Sequence, residues 1–156
     1  AEMVAKISHA VAARTDPDFL IIARTGAVAN ESFESAIERA NAYVEAGADA
    51  ILLMPVDEQQ LRQAPEMLDV PLVTFSSLAT HPAEAWSELG WSMVFDPFTA
   101  QVLAHQVVEQ TYRQVLADGT MAASTTEVMR GYRGLSIAAG LDELYDIERA
   151  TTEPGT

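Results

Sequence analysis

Apolar residues cluster in four short continuous runs, at about Phe19–Ala23, Ala50–Met54, Pro71–Phe75 and Ser92–Phe95. Between them, apolar positions recur at three- and four-residue spacing. The runs read as strands covered on both faces, and the spaced segments as amphipathic helices. Residues 2–14 predict an opening helix with Val4, Ile7 and Val11 on one face. Thr15-Asp16-Pro17-Asp18 breaks it, because Pro17 disfavours helical geometry in the residue before it. Asn30 or Ser32 can cap the next helix, whose buried stripe is Phe33, Ile37, Ala40 and Val44, and Gly47 supplies a left-handed terminus.

Short helices are predicted around Glu58–Ala64 and over Pro82–Leu89, the second ending at Gly90. A long helix runs from near Phe98 to Ala117 and stops at Asp118-Gly119. Two more, near Thr125–Ala138 and Leu141–Ala150, are separated by Gly140, and the tail Glu153-Pro154-Gly155-Thr156 is expected to be disordered. Strands alternating with helices imply an α/β fold with parallel pairing and right-handed crossovers.

With 156 residues, 49% of them hydrophobic, the chain can form one ordinary core, and a single domain is the first expectation. A formal charge of −14 argues against nucleic acid, whose phosphates would be repelled. Lys6 is the single lysine, so no polybasic patch for a membrane surface exists, and with no cysteine there is neither a disulfide nor a thiolate site. The apolar runs are too short to span a bilayer, and no charged-then-apolar signal opens the chain. The expected setting is cytoplasmic.

Residues 18–53 carry the most specific pattern. Asp18-Phe19-Leu20-Ile21-Ile22-Ala23-Arg24-Thr25-Gly26-Ala27 is an apolar strand ending in a charged residue. A helix follows, and Ala46-Gly47-Ala48-Asp49 leads into a second apolar strand, Ala50-Ile51-Leu52-Leu53. This βαβ unit, with about residues 1–120 and more loosely the C-terminal helices, resembles the second half of the isocitrate lyase / phosphoenolpyruvate mutase superfamily. The resemblance implies the C-terminal half of a TIM (β/α)8 barrel, supplying strands five to eight, followed by C-terminal helices at residues 121–152. A whole barrel of this kind has eight strands, with functional groups at their C-terminal ends. The opening helix resembles the crossover after strand four. A partner carrying the other half, self-association, or a longer parent product is expected to cover the open edge.

The family acts on small 2-oxo and 2-hydroxy carboxylates, making or breaking C–C or P–C bonds with Mg²⁺. Its metal-binding acids and the Cys general acid of its lyases belong to the half this chain lacks, so the chain alone is expected to be inactive. The resemblance assigns substrate carboxylate binding to Arg24, as a catalytic-site group, with Ser77 assisting. A guanidinium at a strand end can clamp a carboxylate with two parallel hydrogen bonds, although an ion pair with a neighbouring acid is the structural alternative. Ser77 also reads as ordinary turn chemistry.

Other positions depart from the family pattern. Gly26 stands for an acid, Met54 for Glu or His, Phe75 for Asn, and Val102 for Arg. They imply either apolar filling of a disused mouth or a more apolar substrate. Asp96 is the one acid expected at a strand end, too few for an all-oxygen Mg²⁺ site. His9, His81 and His105 are dispersed without ligand spacing, and Trp86 and Trp91 read as packing residues. Met129, Tyr132, Leu135, Ile137, Leu141, Leu144 and Tyr145 exceed what a surface cap needs and suggest a homo-oligomer through the C-terminal helices. Two functions follow: the C-terminal portion of a lyase or mutase-like enzyme acting on a small dicarboxylate, or a degenerate half-barrel serving binding or assembly.

Overall fold

The computed structural model describes residues 1–152; the tail expected to be disordered lies outside them. Along the chain come α1 (Glu2–Ala13), β1 (Ile22–Arg24), α2 (Ala27–Asn30), α3 (Phe33–Glu45), β2 (Ala50–Leu52), α4 (Glu58–Met67), β3 (Leu72–Phe75), α5 (Ala83–Glu88) and β4 (Met93–Phe95). The helices α6 (Thr99–Asp118), α7 (Thr125–Ala138) and α8 (Leu141–Thr151) follow. The chain divides into two compact units, Ala1–Gln101 and the residues from Val102 on.

In the first unit the four strands form one parallel sheet in the order β1-β2-β3-β4. Sequential order with helical crossovers is the arrangement expected of one half of a (β/α)8 barrel. Register fixes the two faces: Ile22 pairs with Ala50, Leu52 with Val73, and Phe75 with Phe95. Ala23, Ile51, Leu53 and Leu72 point to the other side. There they join Ile7, Phe33, Ile37, Ala40, Tyr43, Leu61 and Trp86 in the main core, so α1 to α5 pack on that face. On the opposite face Ala50, Leu52 and Val73 form a separate small cluster with Met54 packed on it. Ile22, Phe75, Met93 and Phe95 of that face are exposed.

Local chemistry explains the elements. Ser32 caps α3 by accepting the Ser35 amide at 3.1 Å, which resolves the choice between Asn30 and Ser32. Asp57 does the same for α4 through Gln60. Gly47 adopts φ +99° at the end of α3, as the sequence predicts.

Strand one differs from its expected span. Phe19 and Leu20 are exposed, and the strand starts at Ile22. The Asp49 carboxylate captures the Ile21 amide at 2.8 Å and Arg14 at 2.7 Å, while Arg14 also holds the Phe19 carbonyl. The Ile21 amide is thus tied to a side chain, while its carbonyl accepts the Asp49 amide at 2.9 Å. Pairing carries on through Arg24, which is the last residue of β1 instead of the residue after it. Helix α4 runs past the expected Ala64 to Met67, with Pro65 inside it, and the one-turn α2 was not anticipated.

In the second unit no residue of α6, α7 or α8 is fully buried. Helix α7 begins with a reciprocal capping box: Ser124 Oγ accepts the Glu127 amide, and the Glu127 carboxylate accepts the Ser124 amide. Gly140, at φ +70°, separates α7 from α8.

Candidate functional site

The C-terminal ends of the strands bring together Arg24 from β1, Met54 just beyond β2, Phe75 from β3 and Phe95 from β4. All four lie on the face away from α1 to α5. Arg24 is exposed; its Nη2 points at the Met54 Sδ, 3.9 Å away, and its Cζ sits 5.8 Å from the centre of the Phe75 ring. Phe75 and Phe95 pack with tilted rings, their centroids 5.7 Å apart. Among the described residues no acid pairs with Arg24; the ion pairs involve other cations. The ion-pair alternative for Arg24 therefore has no partner within the described residues. Its charge is held over a thioether and an aromatic face, contacts that leave most of its five N–H donors free for an anion.

Ser77 belongs to the neighbouring loops. Its hydroxyl lies 3.0 Å from the Thr99 hydroxyl and accepts the Ala79 amide at 3.2 Å, a local turn bond. Among the described residues it shares no hydrogen bond with Arg24. Gly26 caps α2 with φ −100°, a conformation open to any residue, so nothing in the backbone demands glycine there. A β-carbon at Gly26 would meet only the Asn30 side-chain amide, at 3.3 Å. Val102 is an exposed residue of α6 and falls in the second unit.

Asp96 follows β4, and both of its carboxylate oxygens are in use. One accepts the Thr99 amide at the start of α6, and the other accepts the Leu78 amide from the loop after β3, each at 3.0 Å. Hydrogen bonds from the Thr99 and Leu78 backbone hold its pKa down at about 2. A depressed carboxylate stabilises the fold above its unfolded pKa, near 3.8. That contribution fades only as pH falls from there toward 2, so the clamp is intact at neutral pH.

The family resemblance implies Mg²⁺, and the described residues do not fit it. No three acidic or imidazole side chains converge, and the one strand-end acid is committed to backbone amides. The histidines stay dispersed. His9 bonds the Ala5 carbonyl on its own helix, and His105 is exposed on α6. His81 reaches Glu58 at 3.3 Å and stacks edge-on against Trp86, a partly buried link between α4 and the start of α5. Phe95 was not singled out from the sequence, although as the last residue of the fourth strand it holds the position equivalent to Phe75.

A parallel sheet with helices on one face, and an unpaired cation among apolar groups at its C-terminal edge, defines an open α/β half-barrel with a candidate carboxylate site. Residues 1–117 match the phosphoenolpyruvate phosphomutase family model, and the chain belongs to that family.

It is 38% identical over 124 residues to 2-methylisocitrate lyase of Escherichia coli K12, covering 76% of this chain and 42% of that protein. The fold is similar to a phosphoenolpyruvate phosphomutase from Streptomyces platensis subsp. rosaceus, with TM-score 0.80 and 25% identity over 96% of this chain and 54% of that one. It is also similar to a phosphonopyruvate hydrolase solved with oxalate and Mg²⁺, with TM-score 0.74 and 26% identity over 97% of this chain and 56% of that one. The chain thus spans less than half the length of the curated relatives and about half that of the solved structures.

Proposed function

We propose that the chain is the C-terminal portion of a lyase or mutase-like enzyme that cleaves or rearranges C–C or P–C bonds of small 2-oxo or 2-hydroxy carboxylic acids in the cytoplasm. The observation that carries this reading is Arg24: a guanidinium at a strand's C-terminal end, retained in the family pattern and without an acid partner among the described residues. Its role is to bind and orient a substrate carboxylate, with Ser77 assisting from the loop after β3. The Mg²⁺ associated with this family would take its ligands from outside this chain, and the chain alone is inactive. A second reading is a catalytically degenerate half-barrel used for binding or assembly. It draws support from Met54 and Phe75 at strand ends where the family pattern places polar groups.

Titrating the chain with malate tests the clamp. Arg24→Ala should weaken malate binding about 10- to 100-fold, the scale of charge-assisted hydrogen bonds at a partly solvated site. Arg24→Lys should recover part of it, since it keeps the charge and loses the planar fork. A lower melting temperature with unchanged malate affinity would reject the clamp.

Assembly belongs to the same proposal. The half-barrel's open face carries Ile22, Met93 and Phe95 to solvent, and α6 to α8 expose Val107, Leu116, Tyr132, Leu135 and Ile147. Stable monomers rarely leave so many large apolar side chains uncovered. Light scattering should therefore report a self-associated species at micromolar concentration; a well-folded particle of monomer mass across that range would sink the idea.

A further inference from the structure

The groups surrounding Arg24 bear on which carboxylic acid it takes. Resting on the reading of Arg24 as a carboxylate clamp, we propose that Met54, Phe75 and Phe95 make this site selective for a monocarboxylic acid with an apolar body over a dicarboxylate.

The geometry supplies the reason. The Arg24 guanidinium is bracketed by the Met54 sulfur at 3.9 Å and the Phe75 ring at 5.8 Å, and Phe95 continues the apolar surface at 5.7 Å between ring centroids. A carboxylate on Arg24 must place the rest of its molecule beside these side chains. A second carboxylate there would lose water against a thioether and two aromatic rings, none of which donates a hydrogen bond to it. A methylene chain or a phenyl ring would instead remove exposed surface of Phe75 and Phe95, which are 37% and 42% exposed.

The Asp96 carboxylate is committed to the Thr99 and Leu78 amides, so it does not neutralise Arg24. These groups sit at the strand ends, the mouth of a barrel. Beneath them on the same face, Ala50, Leu52 and Val73 are buried, whereas Ile22 and Met93 at the flanks of that layer are exposed.

The test uses the whole chain and three probes: 3-phenylpropionate, succinate and the uncharged 3-phenylpropanamide. Calorimetry gives the affinities, and the Met54 methyl resonance reports where binding occurs. The acid with the phenyl body should bind at least about 10-fold tighter than succinate and tighter than the amide, moving the Met54 signal. Phe75→Asn should lower 3-phenylpropionate affinity about 10-fold and change succinate affinity less than about 3-fold. Phe75→Leu, apolar and unable to stack, should retain most of the preference. Melting curves of both variants exclude unfolding as the cause, and Phe95→Asn provides a second, independent removal of apolar surface.

Succinate binding as tightly as 3-phenylpropionate, with both lost in Arg24→Ala, would overturn the selectivity and leave the clamp standing. Affinities indifferent to Arg24→Ala would overturn the clamp and the selectivity together. Equal binding of amide and acid, or no probe binding because a second copy shields Phe75 in the associated species, would also overturn the proposal.

Discussion

Trp91→Ala is expected to cost about 4–5 kcal/mol of folding stability, a large share of what a domain of this size possesses. Two losses combine. Trp91 is 4% exposed and packs edge-on against Trp86 at 6.5 Å, so its removal leaves a cavity beneath α4 and α5. It also serves as a hydrogen-bond donor for a helix that lacks one. Pro65 inside α4 has no N–H, so the Leu61 carbonyl, four residues earlier, has no intrahelical partner there. Trp91 Nε1 donates to that carbonyl at 3.0 Å.

Glycine before the tryptophan permits the approach. Gly90 has φ +88°, and a β-carbon there would lie 2.8 Å from the Pro65 Cβ. Trp91→Phe separates the two losses, because it keeps most of the packing and should cost about 1–3 kcal/mol for the orphaned carbonyl. In a Pro65→Ala background the backbone amide restored at that position can satisfy Leu61, and the Trp91→Phe penalty should shrink. Urea unfolding followed by circular dichroism measures the four corners of this cycle. Strict additivity would show that the indole and Pro65 are not coupled through Leu61.

The same feature shows where a sequence stops being legible. A helix ending at Ala64 is the local reading of Pro65, and it fails because the compensating donor comes from the far side of β3. The start of β1 is misplaced for a related reason. Phe19 to Ile21 are as apolar as a strand, but the Asp49 carboxylate takes the Ile21 amide, and no local pattern announces that bond. What depends on neighbours in sequence was readable: a cap at Asn30 or Ser32, the α3 stripe, the left-handed turn at Gly47, and the parallel αβ order.

Arg24 was readable as a strand-end cation, since that needs only strand assignment and family pattern. Its apolar bracket was readable in part, as Met54 and Phe75, whereas Phe95 entered only through the ring contact. Asp96 looked like a free acid at a strand end. Its commitment to Thr99 and Leu78 depends on backbone amides in two separate loops, and so on tertiary geometry.

Gly47→Ala is expected to cost about 3–4 kcal/mol, although it adds a single methyl group. Gly47 turns the chain from α3 toward β2 at φ +99°, where a β-carbon meets its own backbone at a cost of about 1–2 kcal/mol. The added carbon would also lie 2.9 Å from a Val11 methyl of α1, which is closer than real side chains approach. Relieving that overlap means moving Val11 off its packing at a cost of about 1–3 kcal/mol. The turn cannot easily drift away. The Ala48 amide bonds the Tyr43 carbonyl, and the Asp49 amide bonds the Ile21 carbonyl at 2.9 Å. The Asp49 side chain meanwhile holds Arg14 and Ile21.

The two costs separate experimentally. Val11→Ala removes the obstructing methyls and leaves the backbone unchanged, so the double variant should be more stable than the sum of the single losses by about 1–3 kcal/mol. The conformational cost should persist in it. Chemical denaturation of wild type, both single variants and the double variant supplies these numbers. A Gly47→Ala loss below about 1 kcal/mol would mean that the turn can leave its left-handed conformation, and that the α3–β2 junction is not the rigid link the Asp49 hydrogen bonds describe.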